Sequence, residues 1–162
     1  MNALDLLKKQ HEEVSKLFKK YDKLGEDAGE EKQELFEQLA DRLAAHATIE
    51  EKFFYPSIKS EGTEDIVREA LEEHLSVKRL ISDLLDLEPD DEAFDAKMQV
   101  LREQIEHHVE EEEDEMFKKV RKECSKEQLE DLGLQMEDEY EELMDREPRL
   151  QVPEETGSAA PL

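Results

Sequence analysis

The fold is indicated by the ten residues His46-Ala-Thr-Ile-Glu-Glu-Lys-Phe-Phe-Tyr55, because their pattern occurs twice in the chain. The second copy begins at His108, has Glu112 four positions later and has the aromatic Phe117 nine positions later. Side chains four residues apart lie on the same face of an α-helix. Each copy therefore predicts a helix on which a histidine and a carboxylate stand side by side.

A further histidine precedes each copy at a matching distance. His11 lies 35 residues before His46, and His74 lies 34 residues before His108. This regularity indicates a helical hairpin that is used twice, with the two copies about 62 residues apart. Apolar residues recur with helical spacing over residues 3–24, 31–59, 64–87 and 89–121, and strand-like alternation occurs nowhere.

Four long amphipathic helices with short joints predict an all-α protein, an antiparallel up-down-up-down four-helix bundle. Thr63 is predicted to cap the third helix, and Pro56 to disturb the last turn of the second. Ser125 and Gln128 resemble a capping box and predict a short fifth helix. Residues 1–147 are thus predicted to form one domain. Residues 148–162 lose the apolar period and are predicted to be a disordered tail.

The composition limits the partners. Charged residues make up 43% of the 162 residues, and the net charge is -25. Such a surface repels nucleic acid and anionic membranes and attracts cations, including metal ions. The N-terminus does not resemble a signal peptide, and no apolar stretch approaches a membrane span. The single cysteine, Cys124, excludes an intrachain disulfide. We expect a soluble cytoplasmic protein that binds neither nucleic acid nor membrane.

The candidate metal ligands are one histidine from each long helix and two carboxylates. They are His11, His46, Glu50, His74, His108 and Glu112. In an antiparallel bundle all six fall within a slab of roughly 8 Å. A single histidine on an apolar face is usually a hydrogen-bonded core residue, but core packing does not explain four at equal depth. Four imidazoles and two carboxylates suit iron, with manganese or zinc possible.

Two neighbours of these residues leave alternatives open. His107 lies about 100° around the helix from His108, and we favour His108 as the ligand, with His107 paired to Glu111 or Glu112 as the alternative. The run from Glu110 to Glu113 is by default a solvated face, apart from Glu112.

The complete pattern is His11, then His46 with Glu50, then His74, then His108 with Glu112, on four successive helices. It resembles the haemerythrin-like (HHE cation-binding) family over about residues 4–121. The resemblance implies two non-haem iron ions with an oxo or hydroxo bridge. It also implies that the protein senses or handles dioxygen, peroxide, nitric oxide or iron. Separately, we expect at most weak, catalase-like consumption of peroxide rather than a dedicated enzyme.

One departure from the family bears on function. Oxygen-carrying members have a second histidine one turn after the ligand of the third helix, and this chain has Lys78 there. Reversible oxygen carriage is therefore not expected. The flexible Lys78 stem is predicted to reach outward to solvent and to leave a metal position to water or an exogenous ligand.

The sequence excludes one class of di-iron protein and leaves two other kinds of protein open. The ferritin-like class requires Glu-x-x-His, and no glutamate stands three residues before any histidine here. The rivals that the sequence leaves open are a redox-silent zinc or manganese bundle and an acidic interaction module that recruits a basic partner.

Overall fold

The computed structural model describes residues 1–162, and it is helical throughout with no strand. The elements are α1 (Ala3–Asp22), α2 (Gly29–Ile49), a π-helical turn (Glu50–Phe54), α3 (Tyr55–Ile58), α4 (Glu64–Leu85), α5 (Glu92–Glu111), a second π-helical turn (Glu112–Met116), α6 (Phe117–Glu123), α7 (Lys126–Met144) and a 3₁₀ helix (Pro148–Glu155). The segments α2–α3 and α5–α6 are continuous, so the four predicted long helices are confirmed. No helix is long and apolar enough to cross a membrane.

The long helices pair as two hairpins, α1 against α2 and α4 against α5. Local signals set their starts. The Asn2 side chain accepts a hydrogen bond from the Asp5 amide at 2.9 Å, and the Asp91 side chain accepts one from the Ala93 amide at 2.9 Å. Such caps satisfy amides that have no partner inside the helix. Short joints then bring the second helix of each hairpin back alongside the first. The helical-bundle prediction is confirmed.

Two apolar clusters of similar size, 17 and 16 buried residues, occupy the two halves of the bundle. Leu7, Phe54 and Phe117 belong to one cluster, and Phe36 and Phe94 belong to the other. Burying these side chains supplies the main driving force for folding. The candidate ligands lie in a polar layer between the clusters, so apolar packing on both sides keeps that layer away from water.

Both π-helical turns begin at the glutamate of a His-x-x-x-Glu pair, Glu50 in one and Glu112 in the other. Pro56 was predicted to disturb the last turn of its helix, and the wide turn just before it is where a proline acts, although α3 continues through Ile58. The second turn has the same form and contains no proline. The shared position at the polar layer, where π-helical turns often serve functional sites, is therefore the better explanation.

The fifth helix, α7, is confirmed together with its capping box. Ser125 accepts from the Gln128 amide at 3.1 Å, and the Gln128 side chain accepts from the Ser125 amide at 2.8 Å. The helix packs closely on the N-terminus, since a Cβ atom at Gly133 would lie 2.4 Å from the Met1 carbonyl oxygen. Thr63, in contrast, does not cap α4. Its hydroxyl donates to the Ile58 carbonyl at 2.7 Å and so stabilises the preceding joint.

The prediction of a disordered tail at residues 148–162 is wrong. The 3₁₀ helix Pro148–Glu155 lies across α2 and α4. Val152 is only 2% exposed, and the Arg149 guanidinium bonds the Asp41 carboxylate at 2.9 Å. The segment's apolar contacts come from Pro148, Val152 and the partly buried Ala159, Ala160 and Leu162, which do not form a stripe of helical spacing. A search for helical periodicity does not detect an arrangement of this kind.

Candidate metal centre

Four imidazoles meet in the polar layer, one from each long helix. They are His11 on α1, His46 on α2, His74 on α4 and His108 on α5, and all are buried. The rings form two pairs. The ring centroids of His11 and His46 are 4.9 Å apart, and those of His74 and His108 are also 4.9 Å apart.

Two fully buried carboxylates connect the pairs. Glu50 Oε1 lies 3.1 Å from His46 Nε2 and 3.1 Å from His74 Nε2. Glu112 places one oxygen 3.2 Å from His11 Nε2 and the other 3.2 Å from His108 Nε2. Each carboxylate thus touches one histidine of each pair. The structure brings all six predicted residues together as two adjoining donor groups that share Glu50.

The outer nitrogen of every imidazole donates a hydrogen bond to a side-chain oxygen from another helix or turn. The Nδ1 bonds run from His11 to Glu113 at 2.7 Å, from His46 to Gln10 at 2.7 Å, from His74 to Glu51 at 2.7 Å and from His108 to Glu73 at 2.8 Å. An oxygen acceptor at Nδ1 places the proton there and directs the Nε2 lone pair toward the layer. Metal-binding histidines are held in this way.

The sequence reasoning missed these four acceptors. Each is the immediate sequence neighbour of a candidate ligand: Gln10 precedes His11, Glu51 follows Glu50, Glu73 precedes His74, and Glu113 follows Glu112. A polar residue beside four of the six candidate ligands is the signal that could have found them. Each bonds the histidine of a different segment, so together they fix the four imidazoles relative to one another.

The donor atoms fit metal ions because they lack other partners. The Nε2 atoms of His11, His46 and His108, both oxygens of Glu50 and one oxygen of Glu112 are buried without a hydrogen-bond partner. Buried polar atoms are costly when unpaired, and buried carboxylates need a compensating cation. Nitrogen and oxygen atoms clustered in one buried layer are ligands of the kind that divalent or trivalent metal ions take.

The electrostatics of the metal-free protein agree with this fit. Burial alone would lower the pKa of His11, but the neighbouring carboxylates of Glu112 and Glu113 outweigh it and raise the pKa to about 9. The pKa values of His74 and His108 are raised for the same kind of reason. Burial would raise the pKa of Glu50, yet the surrounding imidazoles hold it well below its usual value. Protons on His11, His74 and His108 thus stabilise the buried carboxylates in the way that metal ions would.

Tyr55 adds a hydroxyl to the layer. Its OH donates to Glu112 Oε2 at 2.8 Å and lies 3.2 Å from His74 Nε2. Burial, together with the charges of Glu112 and Glu50, raises the pKa of Tyr55 well above its usual value, so the phenol keeps its proton. The corresponding residue of the second copy, Phe117, stacks on His11 with centroids 6.4 Å apart. The two halves of the centre are therefore chemically different.

The structure separates the adjacent histidines. The His107 side chain is 65% exposed and lies 3.0 Å from Glu111, whereas His108 is buried and faces the layer. His107 therefore does not lie in the six-donor centre. Cys124 is half-buried at the edge of an apolar cluster, away from the centre.

The prediction that Lys78 reaches outward to solvent is wrong. Its ammonium is buried and lies 2.9 Å from Glu51 and 3.1 Å from Glu155. Burial would lower the pKa of Lys78, but Glu51 and Glu155 outweigh it and raise the pKa above its usual value. The ordered C-terminal segment covers this lysine, which keeps its charge and offers no lone pair.

Fold and site together define a helical bundle whose buried histidines and carboxylates are arranged for cations. The profile of the Hemerythrin HHE cation binding domain family matches residues 2–120, and the chain belongs to this family. The fold is shared with a hemerythrin HHE cation binding domain-containing protein from Mycobacterium kansasii, at a TM-score of 0.80 and 24% identity, over 94% of this chain and 99% of that one.

A second relative is considerably longer. The chain is 30% identical over 130 residues to a protein of Nostoc sp. described as a DNA nickase. The match covers 80% of this chain but 36% of that protein, so the chain spans about a third of the relative's length. The similarity concerns the shared domain, and the activity of the whole relative does not follow from it.

Proposed function

We propose that the chain binds two non-haem iron ions in the polar layer and reacts with dioxygen, peroxide or nitric oxide, either to sense or to handle them. The observation that supports this most is the geometry of the donors. Two histidine pairs are connected by two buried carboxylates, and every Nδ1 is fixed so that every Nε2 faces the same space.

In this proposal His11 with His46 and His74 with His108 would hold the two ions, and Glu50 and Glu112 would add carboxylates that contact both histidine pairs. Six ligating side chains would leave room for a small exogenous ligand, toward which iron would supply redox chemistry. The protein supplies orientation through the four Nδ1 acceptors and excludes water through the two apolar clusters.

Tyr55 and Lys78 limit the chemistry. Tyr55 holds a proton between Glu112 and His74, where it can donate a hydrogen bond within the layer. Lys78 is engaged by two carboxylates and supplies no further imidazole-like ligand. We therefore propose a centre that reacts with peroxide or azide but does not carry oxygen reversibly. Weak peroxide consumption follows without making the protein a dedicated enzyme.

The net charge of -25 supports attraction of cations and opposes binding to nucleic acid, so we do not extend DNA nicking to this chain. The test is visible absorption of iron-loaded protein before and after azide or peroxide is added, with zinc-loaded protein as the colourless control. A new band that appears on azide addition supports the proposal. An iron-loaded protein that azide and peroxide leave unchanged contradicts it, and so does an oxygen-dependent spectrum that reverses under vacuum.

A further inference from the structure

The C-terminal segment lies against the same side of the bundle as His74. Arg79, on α4, donates to the carbonyl oxygen of Thr156 at 2.9 Å. Val152 is buried in the apolar cluster formed with α2 and α4, and Arg149 bonds Asp41 on α2. Contacts with both helices hold the segment at several points, which places Glu155 in a fixed position above Lys78.

A continuous line of polar contacts runs from this segment to the centre. Glu155 Oε1 lies 3.1 Å from Lys78 Nζ, and Lys78 Nζ lies 2.9 Å from Glu51 Oε1. The other oxygen of Glu51 accepts the Nδ1 hydrogen bond of His74 at 2.7 Å. Glu51 therefore uses one oxygen for the lysine and the other for the histidine.

This arrangement distinguishes His74 from the other imidazoles. The Nδ1 groups of His11 and His108 are also held by carboxylates, Glu113 and Glu73, but neither of those pairs with a lysine. Glu51, Lys78 and Glu155 all line a cavity of about 570 Å³. Without the lysine, the Glu51 side chain would have room to turn into this space and release the imidazole.

We propose that Lys78 is a positioning residue for the metal centre: it holds Glu51 in place, and Glu51 in turn holds His74. Glu155 contacts Lys78 and so makes the C-terminal segment part of this support. The inference rests on the proposed metal-binding function. It assigns to the lysine the part of a fixed support for one ligand, in place of the solvent-directed side chain that its sequence position indicated.

The experiment compares Lys78→Met, Lys78→Arg and Glu155→Ala with wild type, after iron loading and iron analysis of each. The control is Lys97→Met, which removes another lysine–carboxylate contact between α4 and α5, the one with Asp83, nine residues after His74. The measurements are iron release to an excess of chelator, the visible spectrum, and the melting temperature of the metal-free protein.

Lys78→Met should release one of the two ions about tenfold faster, in line with the effect of removing support from a metal ligand, and should shift the spectrum. Lys78→Arg should restore both properties, and Lys97→Met should change neither. Glu155 is 44% exposed, so Glu155→Ala should fold normally. It should release the same ion about threefold faster than wild type. The Glu155 variant carries the test if Lys78→Met does not fold.

Wild-type release and spectra in both Lys78→Met and Glu155→Ala would overturn the inference, and so would an unchanged Glu155→Ala if Lys78→Met does not fold. Equal acceleration of both ions with a lower melting temperature would also overturn it, because that pattern indicates general destabilisation. A wild-type protein that takes up no iron overturns the proposed function, and this inference with it. Two bound ions with unaffected release in the variants overturn the inference alone.

Discussion

Raising the pH from 6.5 to 9 is expected to destabilise the metal-free protein. The pKa of His11 rises from 6.5 to about 9 in the folded chain, because the neighbouring carboxylates of Glu112 and Glu113 outweigh the opposing effect of burial. A group with a higher pKa in the folded state stabilises the protein fully below its unfolded pKa, and this contribution disappears as the pH rises through the folded value. The loss therefore falls between pH 6.5 and 9.

The size of the effect follows from the His11 pKa. A change from 6.5 to about 9 corresponds to about 3 kcal/mol of unfolding free energy. For a chain of this length, that amounts to a fall of about 6 to 12 °C in melting temperature. The raised pKa values of His74 and His108 act in the same direction. Iron-loaded protein should lack this dependence, because metal binding requires neutral imidazoles.

The assay is thermal unfolding by circular dichroism at pH 6, 7, 8 and 9, for metal-free and iron-loaded protein. His11→Gln should reduce the slope in the metal-free protein. The matched control, His107→Gln, alters a histidine at the surface and should retain it. After verified metal removal, a melting temperature that stays constant or rises between pH 6.5 and 9 would show that protonated His11 does not stabilise the folded protein.

Three further predictions concern single residues. His108→Ala should weaken iron binding or change its spectrum, whereas His107→Ala should do much less; equal effects would show that the ligand on this helix is misassigned. Glu51→Gln should lower metal affinity about 10- to 100-fold, because it replaces the charged acceptor at Nδ1 of His74. Competition with a chelator measures this affinity, and a wild-type value would show that Glu51 does not support the ligand. Val152→Ala should lower the unfolding free energy by about 2 kcal/mol, since it leaves a cavity under the C-terminal segment. Leu150→Ala, at a side chain that is 53% exposed, should change it by less than about 0.5 kcal/mol, and equal losses would contradict the described packing.

The helices and the meeting of the six donors could be predicted from the sequence, because both depend on spacing. His11 and Glu112 are 101 residues apart, yet helical rise and antiparallel packing place them at the same depth. The preference for His108 over His107 rested on the same periodicity, and the structure places His108 in the layer and His107 at the surface.

The polar contacts could not be predicted in this way. Glu51 and Glu73 lie in acidic sequences, where most glutamates face solvent, and only the register between helices shows which of them reaches an imidazole. The C-terminal segment was misjudged because Val152 and Arg149 anchor it without a repeating pattern. The wrong prediction for Lys78 has the same origin, because Glu155, which contacts the lysine, belongs to the segment that was predicted to be disordered.

The proposed di-iron centre can be checked by counting and identifying the metal ions bound to each chain. Protein reconstituted with ferrous iron, freed of excess metal and analysed for iron, zinc and manganese should contain about two iron ions per chain. Variants at the shared carboxylates, Glu50→Ala and Glu112→Ala, should contain fewer. One tightly bound zinc ion with no iron in the wild-type protein would contradict the proposed di-iron centre.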